Sequence, residues 1–239
     1  MDSSRLDAVP LDALRRMDTC AVANAIETFG VRLRNTGFTD SSVHCIFPEL
    51  SPMVGYAATV RIRTVDPPME GDRYYYRLDW LDHLLSIPMP RVLVLEDMDE
   101  RPGLGSFVGD VHANILAALG CAGIVTNGAV RNIPQVRPLG LQVFAGNLSV
   151  SHAYAHVVDF GQPVVVGRME VRPGDLLHGD MHGVQNIPLA VAPDISRVAA
   201  KMMEQERSII DSSRSPDFTM EKLRAEIEAL KEKRSQSQR

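Results

Sequence analysis

The chain has 239 residues, of which 45% are hydrophobic and 23% are charged, a composition typical of globular proteins. Its formal net charge of -5 offers no basic excess for a nucleic-acid-binding face. No run approaches the roughly 18 consecutive apolar residues that span a bilayer, and the acidic N-terminus lacks the apolar core of a secretory signal. We therefore expect a cytoplasmic protein that binds neither nucleic acid nor membrane.

The cysteines are three in number and widely spaced: Cys20, Cys45 and Cys121. This spacing matches neither a metal-ligand motif nor a redox pair. We expect small buried thiols in a reducing compartment rather than a catalytic cysteine.

The first half of the chain alternates helices and strands. Residues 10–30 predict two helical pieces, the second with Asp18 or Thr19 as its N-cap and Gly30 after its end. Residues 31–53 are rich in loop-forming residues, and residues 55–65 alternate as in a half-buried strand. Further elements are a helix at 80–87, a strand at 91–98, a helix at 111–119 and a strand over "IVTNG". The last three form a βαβ unit, so their two strands should be parallel.

The second half predicts shorter strands and then helices. A short strand at 141–146 precedes a compact antiparallel β section over 160–188, in which Asp175 and Asp180 should bind turn amides. A helix over 189–210 should end the main domain, residues 1–210. Residues 211–239 comprise a polar linker and a charged helix at 217–234.

The charged helix carries a narrow apolar stripe at 3-4-3 spacing, formed by Met220, Leu223, Ile227 and Leu230. Such a stripe is not stable alone in water over so few turns. It must pack on the domain or on a partner chain, and the pattern favours a partner slightly.

The candidate functional residues lie between Gly109 and Asn132. Gly109 and Asp110 stand at the start of a helix, where free backbone N–H groups and the helix dipole attract an anion. We expect those free groups to belong to Val111, His112 and Ala113. Arg131 follows the next strand, which in a βαβ unit ends at the same edge. The pattern predicts one crevice that binds a small anion, although Arg131 could instead tie down a loop.

The segment "GDVHANILAALGCAGIVTNGAVRN" resembles the RraA-like family, which includes 4-hydroxy-4-methyl-2-oxoglutarate aldolases. Asp110 and Arg131 flank twenty residues, 111–130, as the matching Asp and Arg do in the aldolase members. The stretches "CAVANAIETFG", "GYAATVR" and "VRPGDLLHGDMHGVQNIP" are also similar to the family's pattern. The resemblance covers residues from about 10 to 200 and excludes the charged tail.

The resemblance implies an α/β protein with the family's β/β/α swivelling-domain-like fold. Its central βαβ unit would be joined by the compact β section and followed by the C-terminal helical extension. The family assembles as homo-trimers or hexamers, and its sites lie at subunit junctions.

The resemblance also implies a lyase that acts on a small 2-oxo acid. It would release pyruvate by retro-aldol cleavage of a 4-hydroxy-2-oxo acid or by decarboxylation of oxaloacetate. Gly109, Val111, His112 and Arg131 would bind the substrate, with Arg131 holding the enolate oxygen. Asp110 would support the base, and a divalent cation, Mg²⁺ or Mn²⁺, would polarise the same oxygen.

The sequence departs from the family at its acidic positions. The metal-anchoring Asp is Asn132 here, and Asn127, Asn24 and Gln135 also stand where acids are found. Mg²⁺ prefers carboxylate oxygens, and an amide brings no charge, so metal affinity should fall sharply at Asn132. The alternative is a non-catalytic RraA-type regulator that binds a ribonuclease or another protein partner.

The histidines and one glycine pair suggest other functional hypotheses. His112 could act as acid, base or ligand in the crevice. On a helix, His152 and His156 would share a face and could chelate a transition metal. Histidines that only form hydrogen bonds are commoner, and this applies to His178 and His182 as well. The pocket could also serve another small anion; "GLGS" (103–106) lacks the pattern of an S-adenosylmethionine loop.

Overall fold

The structure is a computed structural model that describes residues 9–68 and 77–237. Its α-helices are α1 (Leu11–Leu14), α2 (Thr19–Thr28), α3 (Asp79–Ser86), α4 (Asp110–Ala118), α5 (Ile133–Val136), α6 (Ala192–Ser213) and α7 (Met220–Ser237). Its strands are β1 (His44–Cys45), β2 (Met53–Arg63), β3 (Arg91–Asp97), β4 (Ser106–Val108), β5 (Cys121–Thr126), β6 (Ala129–Val130), β7 (Gln142–Ala145), β8 (Asn147–Leu148), β9 (His156–Phe160), β10 (Val164–Val166), β11 (Met169–Val171), β12 (Leu176–Asp180) and β13 (Gly183–Ile187).

The main sheet has the order β1-β7-β5-β3-β2-β12-β13, and β9 also pairs with β2. The strands β2, β3, β5 and β7 are parallel. The predicted βαβ unit is therefore confirmed, with α4 between β3 and β5. The fold is a mixed α/β architecture with helices at the C-terminal end.

The prediction that β2 is half-buried is wrong. The strand is buried on both faces through Val60, and exposed charge begins only near Arg63 at its end. One face packs in the larger core, which includes Ala58, and the other packs with Ala57 against the β10–β11 hairpin. A hairpin about 100 residues later in the chain thus covers the face that the alternating pattern had left to solvent.

The β section at 160–188 is antiparallel as predicted, with the hairpins β10–β11 and β12–β13. It does not stand apart from the main sheet, because β12 also pairs with β2. The expected turn contacts are present: Asp175 Oδ2 accepts from the Arg172 N–H at 2.9 Å, and Asp180 Oδ1 accepts from the His182 N–H at 2.9 Å.

A small parallel sheet, β4-β6-β8, lies beyond the main one, and the sequence patterns did not predict it. Val108 at the end of β4 is paired with Val130 at the end of β6. The Arg131 N–H donates to the Val108 carbonyl oxygen at 3.1 Å. This sheet brings Arg131 beside Gly109, the residue that starts α4.

The C-terminal helices differ slightly from their predicted bounds. Helix α6 runs to Ser213, three residues into the predicted linker, because Ile210 and its neighbours continue the backbone hydrogen bonding. Helix α7 packs along α6, with Leu223 and Leu230 half-buried while Met220 and Ile227 remain 54% and 38% exposed. The division at residue 210 stays a prediction. Among the described residues, no helix has the length and apolarity needed to cross a membrane.

Candidate functional site

A pocket of about 200 Å³ lies between α3 and the start of α4. The five residues expected in the crevice all line it: Gly109, Asp110, Val111, His112 and Arg131. The sequence thus located the pocket, whereas the catalytic and binding roles of these residues stay predictions.

Helix α4 starts one residue earlier than predicted, at Asp110, with Gly109 as its N-cap. The Ala113 N–H donates to the Gly109 carbonyl oxygen at 3.0 Å, so the prediction that this amide is free is wrong. The N–H groups of Asp110, Val111 and His112 belong to the first turn and have no acceptor within the helix. Together with the helix dipole, they favour a negatively charged group at this end of the pocket.

Arg131 and Asn132 pack closely over Gly109. A Cβ atom on Gly109 would lie 2.9 Å from Asn132 Oδ1 and 3.2 Å from Arg131 Nε. Asn132 adopts the left-handed conformation, with φ 57°, which asparagine tolerates better than most residues. This corner after β6 turns both side chains toward the helix start, where the absence of a side chain at Gly109 lets them approach closely.

Two buried polar atoms in this corner lack a hydrogen-bond partner among the described residues, Arg131 Nε and Asn132 Oδ1. Arg131 Nη1 donates only a long bond, 3.4 Å, to the Val150 carbonyl oxygen. Buried polar groups are nearly always paired in folded proteins, since leaving one unpaired costs about 1–3 kcal/mol. An unpaired donor and an unpaired acceptor side by side indicate a place for a polar ligand or an ordered water.

His112 forms part of an aromatic group beneath the pocket. Its ring stacks on Phe107 with the centroids 4.7 Å apart and lies edge-on to Trp80 at 6.0 Å. Burial lowers the pKa of His112, a backbone hydrogen bond at Phe107 opposes this, and nearby His152 adds to the lowering. The imidazole is therefore neutral near pH 7, a state in which it can accept a proton.

His152 also lines the pocket, although the sequence offered no signal for this because its loop is distant in the chain. Its Nδ1–H donates to the Ser106 carbonyl oxygen at 2.9 Å. The predicted helical pair with His156 is wrong, since His156 lies in β9 and donates to the Tyr154 carbonyl oxygen at 2.7 Å. His178 is buried between Leu14 and Thr19.

The residues present do not fit a divalent cation. Within residues 9–68 and 77–237, no group of three or more His, Cys, Asp and Glu side chains is placed to hold a metal. Asp110 is the one carboxylate among the described residues that line the pocket. Asn132 is not among those lining residues, and its side chain would offer only an uncharged oxygen. The weak metal affinity expected at Asn132 stays a prediction.

Asn127 has a structural role that an aspartate would not perform. Its Oδ1 accepts from the Asp97 N–H at 2.8 Å, and its Nδ2 donates to the Asp97 carbonyl oxygen at 3.0 Å. The side chain thereby fastens the end of β5 to the end of β3. The other two amides noted in the sequence, Asn24 and Gln135, are exposed.

Arg77 is a second arginine at the pocket, and the sequence did not single it out. Its Nε donates to Asp79 Oδ1 at 2.9 Å, and its Nη1 donates to the Val157 carbonyl oxygen at 3.1 Å. Its guanidinium also lies over the Phe160 ring, 5.4 Å from the centroid. Much of its charge is therefore already engaged.

The cysteines only partly match the expectation of buried thiols. Cys20 is exposed, which corrects that expectation, while Cys45 and Cys121 are half-buried. Burial raises the pKa of Cys121 to about 12 and raises the pKa of Cys45 as well. A reactive thiolate needs a lowered pKa, so these thiols do not have the properties of catalytic cysteines.

The geometry at Gly109 and Arg131 defines an α/β protein with a small pocket beside the start of a helix. The profile of the RraA-like family, described as Aldolase/RraA, matches residues 19–185, and the chain belongs to this family. The family includes aldolase-type enzymes and regulators of ribonucleases.

Three similar proteins illustrate the relationship. A protein of Halalkalibacterium halodurans named "Putative 4-hydroxy-4-methyl-2-oxoglutarate aldolase" is 28% identical over 123 residues, 49% of this chain and 59% of that relative's length. An uncharacterized protein from Pseudomonas syringae pv. tomato has a TM-score of 0.70 at 22% identity, covering 94% of both chains. Streptomyces coelicolor RraAS2, an unusual member of the RNase ES inhibitor RraA family, has a TM-score of 0.64 at 23% identity, covering 82% of this chain and 94% of that one. At such identities the two structures establish a shared fold.

Proposed function

We propose that the protein is a lyase that acts on a small 2-oxo acid in the pocket between α3 and α4. One observation carries the proposal: Arg131 and the first-turn residues of α4, whose N–H groups have no acceptor within the helix, line one pocket. Both are donors, and Arg131 is cationic, so the pocket suits an anion with an additional oxygen acceptor.

The size of the pocket supports a small ligand. The pocket has a volume of about 200 Å³. Pockets for drug-sized ligands usually begin near 300 Å³. This volume suits a ligand as small as a short oxo acid.

The proposed reaction develops charge where the chain places its donors. The N–H groups of Val111 and His112 bind the substrate carboxylate, and Arg131 binds the 2-oxo oxygen. A base takes the proton of the 4-hydroxyl group, the C3–C4 bond breaks, and its electron pair becomes the enolate of pyruvate. Protonation at C3 completes pyruvate, and C4 leaves as the second carbonyl compound. In oxaloacetate, breakage of the same bond releases CO₂ and forms the same enolate. The Arg131 guanidinium stabilises that enolate oxygen.

His112 is the proposed acid–base residue. It lines the pocket, and its lowered pKa keeps it neutral and able to accept a proton near pH 7. Asp110 lines the same pocket and would stabilise the positive charge that the imidazole gains. No step depends on a divalent cation, because the donor set around Asn132 does not fit one.

The test is pyruvate release from 4-hydroxy-4-methyl-2-oxoglutarate and from oxaloacetate, each with Mg²⁺, with Mn²⁺ and with a chelator. We expect turnover that survives the chelator and is lost in Arg131→Ala. The Asn132→Asp variant should acquire dependence on the added metal. If neither the wild-type protein nor Asn132→Asp releases pyruvate or binds an oxo acid, the lyase proposal is wrong.

We also propose that the protein forms homo-trimers or hexamers in the cytoplasm. Val150, whose carbonyl oxygen accepts from Arg131, is 97% exposed, and Val111 at the pocket is 66% exposed. Apolar side chains so placed favour burial against another subunit, and the free thiol of Cys20 favours a reducing compartment. Light scattering coupled to gel filtration should give three or six copies; a monomer would contradict the assembly.

The alternative function is a regulator that binds a ribonuclease or another protein. The observation that favours it is Asn132, which stands where the aldolases anchor their metal. Purified ribonuclease E should then be retained by the immobilised protein. Absence of binding at micromolar concentration would count against this alternative.

A further inference from the structure

The pocket has one polar side and one apolar side. The polar side consists of the start of α4 and the corner at Arg131. The apolar side comes from α3 and the second turn of α4, and its members are Leu78, Trp80, Leu81 and Ile115. A ligand that fills this space must therefore present its acid group to one side and hydrocarbon to the other.

The apolar side carries little free charge despite Arg77. The Arg77 side chain is 24% exposed and is paired with Asp79, a 52% exposed carboxylate. Its Nη1 is also committed to the Val157 carbonyl oxygen, and its guanidinium covers the Phe160 ring. A second carboxylate on the ligand would lose water against hydrocarbon without gaining an uncommitted cation.

We propose that the pocket selects 2-oxo monocarboxylates with an apolar branched substituent over 2-oxo dicarboxylates; this inference rests on the proposed function. For the lyase, the substrate class is a 4-hydroxy-2-oxo acid whose C4 carries an alkyl group. Its products are pyruvate and an apolar aldehyde or ketone, formed by the C3–C4 cleavage described above.

The experiment compares two acids that differ in one terminal group. Isothermal titration calorimetry of the wild-type protein measures the dissociation constants of 5-methyl-2-oxohexanoate and 2-oxoglutarate. The first acid has an isopropyl group where the second has its terminal carboxylate. Each buried methylene strengthens binding by about fourfold, so partial burial of the isopropyl group should give about a tenfold preference. Equal or tighter binding of 2-oxoglutarate would overturn the proposal.

A variant on the apolar side tests whether its residues cause the preference for 5-methyl-2-oxohexanoate. Leu78→Ala should remove most of the preference, and because Leu78 is 63% exposed its truncation should not disturb folding. Leu85→Ala is the matched control, since Leu85 lies in α3, the helix that begins directly after Leu78, and is 48% exposed but does not line the pocket. An undiminished preference in Leu78→Ala would contradict the assignment of this side.

A third ligand separates this inference from the proposed function. 5-Methylhexanoate lacks the 2-oxo group but keeps the apolar end. If it binds as tightly as 5-methyl-2-oxohexanoate, the 2-oxo acid function is wrong while the apolar selectivity stands. If none of these acids binds, both proposals fall; if only the 2-oxo acids bind and the dicarboxylate is preferred, the selectivity alone is wrong.

Discussion

Two asparagines five positions apart have opposite environments. Both amide atoms of Asn127 are bonded to the main chain of Asp97. Asn132 Oδ1, by contrast, is buried without a partner among the described residues and lies beside Arg131. Both stand where the family resemblance places acids. The same exchange of carboxylate for amide thus fastens two strands at one position and leaves a buried, unpaired acceptor next to Arg131 at the other.

The largest expected effect is that of Arg131→Ala, which tests whether the corner after β6 is a ligand site or has only a structural role. Arg131→Ala should lower pyruvate formation by about a hundredfold, since removal of one preorganised donor to an oxyanion costs about that much. The free energy of unfolding should change little, because the hydrogen bond that Arg131 Nη1 donates to the Val150 carbonyl oxygen is long, 3.4 Å, and Nε has no partner among the described residues. Arg197→Ala, at an exposed ion pair, is the control for loss of charge. A strongly destabilised Arg131→Ala with normal turnover would make this corner structural.

The next effect concerns the two asparagines directly. Asn127→Asp should lower the free energy of unfolding by about 2 kcal/mol, because the Asp97 carbonyl loses its donor and a buried acceptor is left unpaired. Asn132→Asp, the matched variant, should change stability by less than about 1 kcal/mol, since its Nδ2 has no recorded bond in the described structure. Urea unfolding in the presence of a chelator measures both. Equal losses would erase the distinction between the two positions.

A smaller effect should follow from filling the space at Gly109. Its φ of -128° suits alanine, so the effect of Gly109→Ala is steric. The new Cβ would stand 2.9 Å from Asn132 Oδ1, which should cost about 1 kcal/mol of stability and weaken oxo-acid binding about tenfold. The double variant with Asn132→Ala should recover part of the stability. Unchanged binding in Gly109→Ala would show that the ligand lies elsewhere.

The smallest expected effect is a pH dependence of the free energy of unfolding that comes from His178, whose two ring nitrogens are both hydrogen-bonded. Burial lowers the pKa of His178 below its ordinary value of 6.5, so below that pH the unfolded chain binds a proton that the folded chain does not. Stability should be complete above about pH 6.5 and decline as the pH falls, until the lower folded pKa is reached. His112 and His83 have pKa values lowered by burial and contribute with the same sign. Urea unfolding at several pH values should give a shallower decline for His178→Gln; an identical decline would remove His178 as a cause.

Several features were predictable because they depend on neighbouring residues. Asp18 caps α2 by accepting from the Ala21 N–H at 2.7 Å, and Gly30 follows the helix with φ 62°, both as the sequence predicts. The meeting of Gly109 and Arg131 was also predicted, but the stated reason was incomplete. The small β4-β6-β8 sheet pairs the two positions, and its strands of two or three residues are too short to show a periodicity.

By itself, the sequence determined the parallel βαβ unit, the caps and the pocket residues at the start of α4, because local periodicity and short-range hydrogen bonds dictate them. Only the tertiary structure decided that β2 is buried on both faces, that Asn127 is satisfied and that Asn132 is not. Those outcomes depend on partners from distant segments, such as Asp97 and the β10–β11 hairpin. Burial and hydrogen-bond pairing are properties of the assembled chain, so no local pattern encodes which buried polar atom remains unpaired.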